Sequence, residues 1–222
     1  MSELIYCVGG VASPLLANIY LHQLDQTWED RYGHLGELTR FADDLVIVCR
    51  TKANAEAALA ALAKLLAELG LRVAEAKTRL VDMDSGQGFD FLGFHHRKVR
   101  SFRNPKVKYV AQWPSQAAMR RARTRIRELL ARQRLRRPTS EVIGEVNRFL
   151  RSWGEYFRHG NSTPQFHWLD RYVRQRAMRF ISQRHSHSGL GYGFQVLTRS
   201  GNDVGLYRLV GTVSYGPVHT GR

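Results

Sequence analysis

Residues 38–49 read Leu38-Thr39-Arg40-Phe41-Ala42-Asp43-Asp44-Leu45-Val46-Ile47-Val48-Cys49. Two short β-type runs flank Ala42-Asp43-Asp44, and the spacing predicts a hairpin with paired carboxylates at its tip. Adjacent aspartates repel, so keeping both ionised calls for a cation. Hard divalent ions such as Mg²⁺ supply that compensation through oxygen ligands. An Asp-Asp pair alone is ordinarily a solvated turn, so its meaning depends on what stands on either side.

Upstream, Ser13-Pro14 reads as an N-cap followed by proline at the first helical position, opening a helix to about Trp28 that Gly33 and Gly36 break. Downstream, residues 53–69 are rich in Ala and Leu and are followed by Gly70, which predicts a helix with a glycine stop. Leu71-Arg72-Val73 and Leu80-Val81-Asp82-Met83 are strand candidates, and Ser85-Gly86 reads as a turn into Phe89-Asp90-Phe91-Leu92-Gly93-Phe94. Residues 1–96 are therefore mixed α/β.

From Ser115 the pattern changes. Met119, Ala122, Ile126, Leu129 and Leu130 form a helical apolar stripe, and Pro138 ends the segment. Thr139-Ser140-Glu141 reads as a cap for a second helix with Val142, Val146, Phe149, Leu150, Trp153 and Phe157 on one face. A third helix is predicted over residues 165–183, with Phe166, Leu169, Val173 and Phe180 inward. Three amphipathic helices on short loops make a small bundle. Trp153, Tyr156 and Trp168 could stack on bases, but at their spacing core packing is the favoured reading. The Gly-rich tail after Gly189 carries Leu206-Tyr207-Arg208-Leu209-Val210, a candidate partner strand for Thr212-Val213-Ser214. The expected class is α+β: a mixed first region over 1–96, a basic connector over 97–114, a helical bundle over 115–187 and a tail over 188–222.

Charge divides the chain in the same way. The net is +15, yet residues 1–96 hold 8 Lys/Arg and 13 Asp/Glu, while residues 97–222 hold 26 and 6. Such asymmetry points the second part at a polyanion. No apolar run reaches the roughly 18 residues of a membrane span, and Met1-Ser2-Glu3-Leu4 lacks a signal-peptide pattern. Cys7 and Cys49 form neither a disulfide framework nor a metal knuckle, so reduced thiols in a cytoplasmic setting are expected. The histidines, among them His95-His96 and His185-Ser186-His187, have no zinc-type spacing.

Four blocks then occur in order: residues 9–25 (Gly9-Gly10-Val11-Ala12-Ser13-Pro14-Leu15-Leu16-Ala17-Asn18-Ile19-Tyr20-Leu21-His22-Gln23-Leu24-Asp25), Arg40-Phe41-Ala42-Asp43-Asp44, residues 70–78 around Lys77, and Phe89-Asp90-Phe91-Leu92-Gly93-Phe94. They resemble the later palm motifs of group II intron reverse transcriptases. Phe149-Leu150-Arg151-Ser152-Trp153-Gly154-Glu155-Tyr156-Phe157 and Phe166-His167-Trp168-Leu169-Asp170 resemble the family's thumb, or maturase X domain. The resemblance implies a partial polymerase palm followed by a thumb bundle. It implies that Asp43, with Asp44 beside it, binds catalytic metal (Mg²⁺, with Mn²⁺ as a substitute). Phe41, where the family usually has tyrosine, would lie near the nucleotide, and Gly9, Gly10 and Ser13 would place template and nucleotide. Lys77 would donate a proton or contact phosphate, against the plainer reading of an exposed lysine at a strand end. Phe91, Leu92 and Gly93 would form the primer grip. For Asp25 and Asp90, capping or structural roles are expected.

Two departures qualify this. Cys7-Val8 stands where the family has Pro-Gln, and only Glu3 is acidic before Gly10, so the fingers and the first catalytic aspartate are not in this sequence. The expectation is an N-terminally truncated copy or one piece of a split enzyme, holding its ions poorly and inactive as an autonomous polymerase. A polypeptide supplying the missing part would then be a partner, with deoxynucleotides and an RNA/DNA primer-template as ligands once complemented. Residues 120–137 carry nine arginines and the single acid Glu128. Like charges at helical spacing destabilise a helix, and polyphosphate removes that cost while releasing counterions. Arg120, Arg123, Arg127 and Arg134 are the candidate contacts to structured intron RNA. The readings are thus an RNA-directed DNA polymerase of a bacterial ribonucleoprotein, or a non-catalytic maturase module that binds intron RNA and assists splicing.

Overall fold

A computed structural model describes residues 13–74, 76–198 and 205–214, with the side chains of Ser13 and Pro14 excepted. Gly9, Gly10 and Cys7 lie outside the described residues, as does the side chain of Ser13. The chain forms two compact units, Met1–Ser85 and Gly86–Arg222. Among the described residues the class is α+β, with six α-helices and two small antiparallel sheets.

In the first unit α1 (Ser13–Tyr32) runs a turn beyond Trp28. Trp28 is buried and its indole Nε1 donates to the Gly36 carbonyl at 3.0 Å, which ties the helix end to the strand that follows. β1 (Glu37–Phe41) and β2 (Asp44–Val48) pair antiparallel from Glu37↔Val48 to Phe41↔Asp44. α2 (Lys52–Glu68) is capped by Thr51, whose side chain accepts from the Asn54 amide at 3.1 Å. At its other end Gly70 adopts φ +69°, with Gly70 N donating to Ala67 O and Leu71 N to Leu66 O. That is the left-handed helix stop the glycine predicts. Leu24 and Trp28 of α1 pack on Ala58, Leu62, Leu65 and Leu66 of α2 to form the core.

Residues 71–74 and 80–83 are irregular rather than strands. Leu71 and Leu80 stay exposed. Local hydrogen bonds close the backbone there: Lys77 N donates to Ala74 O, and the Asp82 carboxylate accepts from the amides of Asp84 and Ser85. Short polar side chains offer the backbone this alternative to a ladder.

In the second unit β3 (Gly88–Phe91), β4 (Phe94–Arg100) and β5 (Lys108–Pro114) form a meander in that order. α3 (Gln116–Leu129) follows at once, with Ser115 Oγ accepting from Ala118 N at 3.2 Å. α4 (Thr139–Phe157) and α5 (Thr163–Arg184) complete the bundle. Ile126, Val142, Val146, Leu150, Phe166, Leu169 and Val173 are all buried in one core. Thr139-Ser140-Glu141 supplies no side-chain cap; Pro138 occupies the N-cap position of α4.

The arginine-rich segment is not one helix to Pro138. α3 ends at Leu129, Ala131 is extended, and Arg132–Arg134 form a short 3₁₀ turn. A tertiary tie holds this break: the Arg184 guanidinium of α5 donates to the carbonyls of Leu135 and Arg137.

The tail also departs from the reading as paired strands. Gly191–Thr198 form α6, whose Gly193 meets the Met178 backbone so closely that a Cβ would lie 2.0 Å from the Met178 oxygen. Residues 205–213 make no ladder and are held by side chains from the bundle. The Asp170 carboxylate accepts from Leu209 N and Val210 N, and Asn147 Oδ1 accepts from Tyr207 N at 2.8 Å. Leu209, 0 % exposed, sits against Gly154 in the core. Leu209→Ala should therefore destabilise the protein by about 2–5 kcal/mol, as for other fully buried leucines. Chemical denaturation of both proteins checks this, and a change below about 1 kcal/mol would place Leu209 outside the cooperative core.

Candidate functional site

The β1–β2 connection is the two-residue turn Ala42-Asp43, with Asp44 opening β2 opposite Phe41. Ala42 has φ +53°, a conformation that non-glycine residues adopt at a cost and that clusters at functional turns. Arg40 holds it. Its guanidinium donates to the Ala42 carbonyl at 2.9 Å and to Asn18 Oδ1 at 3.1 Å, and grips both oxygens of Asp25 on α1. Arg40 is largely buried, and the Asp25 hydrogen bond raises its pKa further above the usual guanidinium value. Asp25 thus has a structural part, as expected. The role of Arg40 was missed, because nothing in the spacing shows that residues fifteen apart share one bidentate pair.

Asp43, Asp44 and Phe41 are exposed on this turn. Lys77 is exposed too, in the turn that follows Ala74, and among the described residues no hydrogen bond or ion pair joins it to either aspartate. The structure therefore places Phe41, Asp43 and Asp44 on one turn and shows no bond from Lys77 to either aspartate among the described residues. Two carboxylates suit a divalent ion in kind but not in number. Among the described residues no group of three His, Cys, Asp or Glu could hold a metal ion, and both oxygens of Asp25 are engaged by Arg40. Among the described residues these carboxylates do not make a complete ion site.

In the second unit Leu92 (φ +50°) and Gly93 (φ +81°) form the two-residue turn of the β3–β4 hairpin, between paired Phe91 and Phe94. This conformation matches the twist of a tight hairpin. Both turn carbonyls are engaged: Leu92 O accepts from the Tyr156 hydroxyl at 2.8 Å, and Gly93 O from Ser115 N at 2.8 Å. Phe94 packs on Tyr156 and Phe157 of α4, which seats the hairpin on the bundle. Beside it, His95 Nδ1 lies 2.6 Å from Asp90 Oδ1. Burial, and next to it the charge of His95, pushes the His96 imidazole below its usual pKa.

Arg120, Arg123 and Arg127 are exposed on α3, away from its buried Ala118, Ala122, Ile126 and Leu129. Arg134 lies off this helix, half-buried, with Glu145 as its ion partner. Glu145 also binds Arg137 at 2.7 Å, and the hydrogen bonds from Arg134 and Arg137 hold its carboxyl below the usual range. Of the aromatic residues read as core, Trp153 packs against Phe157 and Phe166, but Tyr156 is half-exposed and Trp168 is 71 % exposed. Trp168 occupies the outer face of α5, opposite Phe166 and Leu169, so the expectation that it is core is overturned.

Residues 3–96 match the family described as reverse transcriptase (RNA-dependent DNA polymerase). Residues 119–200 match the group II intron, maturase-specific domain. No curated protein matches the chain. Reverse transcriptases generally use divalent metal ions, and the two domains imply nucleic-acid partners, intron RNA among them. Among the described residues no helix is long and apolar enough to cross a membrane. The two matches follow in the order of the motifs and take in most of the sequence: the chain belongs to the group II intron reverse transcriptase/maturase family.

Proposed function

We propose that residues 97–222 of this chain bind structured intron RNA and assist its folding for splicing, within a cytoplasmic ribonucleoprotein. The observation that carries this is the bare arginine face of α3. Arg120, Arg123 and Arg127 are exposed, while the one acid of that helix, Glu128, pairs with Arg125 at 3.1 Å. Guanidinium groups contact phosphates in bidentate fashion, and the narrow major groove of A-form RNA leaves phosphate and shape as the main features to read. Arg134 supports this surface rather than leading it, because it steadies Glu145.

Binding should weaken steeply with salt. Replacing Arg120, Arg123 and Arg127 together by Gln should flatten the plot of log affinity against log salt by about 0.7–0.9 for each phosphate left without its arginine. The helix should stay folded, since none of the three is on its buried face. Titrations of a folded intron RNA at several salt concentrations decide it; equal slopes for wild type and variant would show α3 to be a solvated face.

The same reading gives Asp43 and Asp44 the part of metal-binding carboxylates in nucleotidyl transfer, with Mg²⁺ or Mn²⁺ supplying charge neutralisation once further ligands complete the site. Phe41, Gly9, Gly10 and Ser13 would line the nucleotide and template, Lys77 would act on phosphate, and Phe91, Leu92 and Gly93 would hold the primer end. A second polypeptide would bring the remaining carboxylate. The 222-residue chain alone should accordingly show no primer extension on an RNA template with either ion. Robust extension that disappears in Asp43→Ala would overturn this reading of an incomplete site.

A further inference from the structure

The 3₁₀ turn after α3 faces the C-terminal half of α5 across a cleft of about 230 Å³, lined by Leu130, Arg132, Arg176, Arg179, Phe180 and Gln183. Residues 176, 179, 180 and 183 fall on one side of the helix by their spacing. Three arginines therefore line one small space. No carboxylate lines it, and none of the three arginines has an ion pair among the described residues. The nearest acids in sequence are engaged elsewhere: Glu128 with Arg125, and Asp170 with the amides of Leu209 and Val210.

Two further facts mark the cleft as built. Arg176 Nε is buried and has no hydrogen-bond partner, whereas buried polar groups are ordinarily satisfied. Arg184 pins the carbonyls of Leu135 and Arg137 to α5, which fixes the turn carrying Arg132 against Arg176 and Arg179. The arrangement is thus held in place before any ligand arrives.

Size and chemistry select the occupant. The cleft holds several water volumes of about 30 Å³ each but falls below the roughly 300 Å³ at which pockets for drug-sized ligands begin. Arginine forks with no acceptor of their own suit a tetrahedral oxyanion. We propose that Arg132, Arg176 and Arg179 form a phosphate site, occupied by a backbone phosphodiester of the bound RNA. The proposal rests on the RNA-binding reading above and adds a definite anchor point off α3 to it.

The test uses the full chain, a folded group II intron RNA and, separately, inorganic phosphate. Arg132→Gln/Arg179→Gln changes two exposed arginines of the cleft, and Arg136→Gln, an exposed arginine outside it, serves as control. The double variant should bind the RNA roughly tenfold more weakly, with a salt slope smaller by about one, as when one phosphate is no longer neutralised by the protein. Arg136→Gln should change affinity less than about threefold. In the second arm, sodium phosphate should raise the melting temperature of wild type relative to sodium chloride at equal ionic strength, and should not do so for the double variant. An unchanged melting temperature of that variant in chloride shows that it folds. Wild-type affinity and slope in the double variant would overturn the RNA assignment; if phosphate still stabilised only wild type, the cleft would take free phosphate instead. Equal phosphate effects on both proteins would overturn the site itself. Should wild type show no salt-sensitive RNA binding, the reading of α3 falls, and the phosphate arm still decides the cleft independently.

Discussion

Scarcity of carboxylate governs the second unit. Each of its described acids is already engaged: Asp90 with His95, Glu128 with Arg125, Glu141 with Arg137, Glu145 with Arg134 and Arg137, Glu155 with Arg158, and Asp170 with the amides of Leu209 and Val210. These contacts neutralise arginine where the chain turns between helices, and they fasten the tail. Among the described residues no further carboxylate remains for Arg120, Arg123 and Arg127 of α3 or for the cleft beside α5. Exposed ion pairs contribute little stability singly. The surplus of uncompensated guanidinium is therefore a property of the surface, and it asks for an external polyanion.

The first unit solves a different problem, that of holding a strained turn still. Ala42 sits in the left-handed region and two acids follow it directly, so both backbone and charge work against order there. Arg40 answers both. Its guanidinium takes the Ala42 carbonyl and, through Asp25, ties the hairpin to the helix whose Leu24 and Trp28 anchor the core. Removing one partner of a largely buried pair leaves the other uncompensated, which costs more than the pair contributes. The turn that carries Asp43 and Asp44 is thus fastened through Arg40 to α1.

A similar division runs through the β3–β4 hairpin. Leu92 and Gly93 turn the chain because the backbone there must adopt positive φ, and the turn is fastened from outside by Tyr156 and Ser115. Tyr156 keeps its ring half-exposed while its hydroxyl makes that bond. An aromatic residue with a polar tip can serve at such a margin, where a phenylalanine could only be buried or exposed.

Much was legible in the sequence because it depends on local rules. The helix of residues 52–68 follows from Ala/Leu content with Thr51 and Gly70 at its ends, and the Asp43-Asp44 hairpin from two β-type runs about a two-residue turn. The inward faces of α4 and α5 follow from helical period, and the polyanion-seeking half from charge counting. What depended on distant partners was not legible. Residues 71–74 and 80–83 have strand composition but are irregular, and after the second run the Asp82 carboxylate takes the amides of Asp84 and Ser85. The arginine helix ends at Leu129, and Arg184, about fifty residues on, holds carbonyls beyond the break. Trp168 is exposed on the face of α5 turned away from Phe166 and Leu169. Asp170, two residues along, faces the tail and binds the Leu209 and Val210 amides. Periodicity and charge reside in adjacent residues, so sequence alone determined the Ala/Leu helix, the inward faces of the bundle helices, the acidic turn and the basic half. Which arginines stay free, and what holds Asp43 and Asp44 in place, required residues far apart in the chain to meet, and only the tertiary structure decided that.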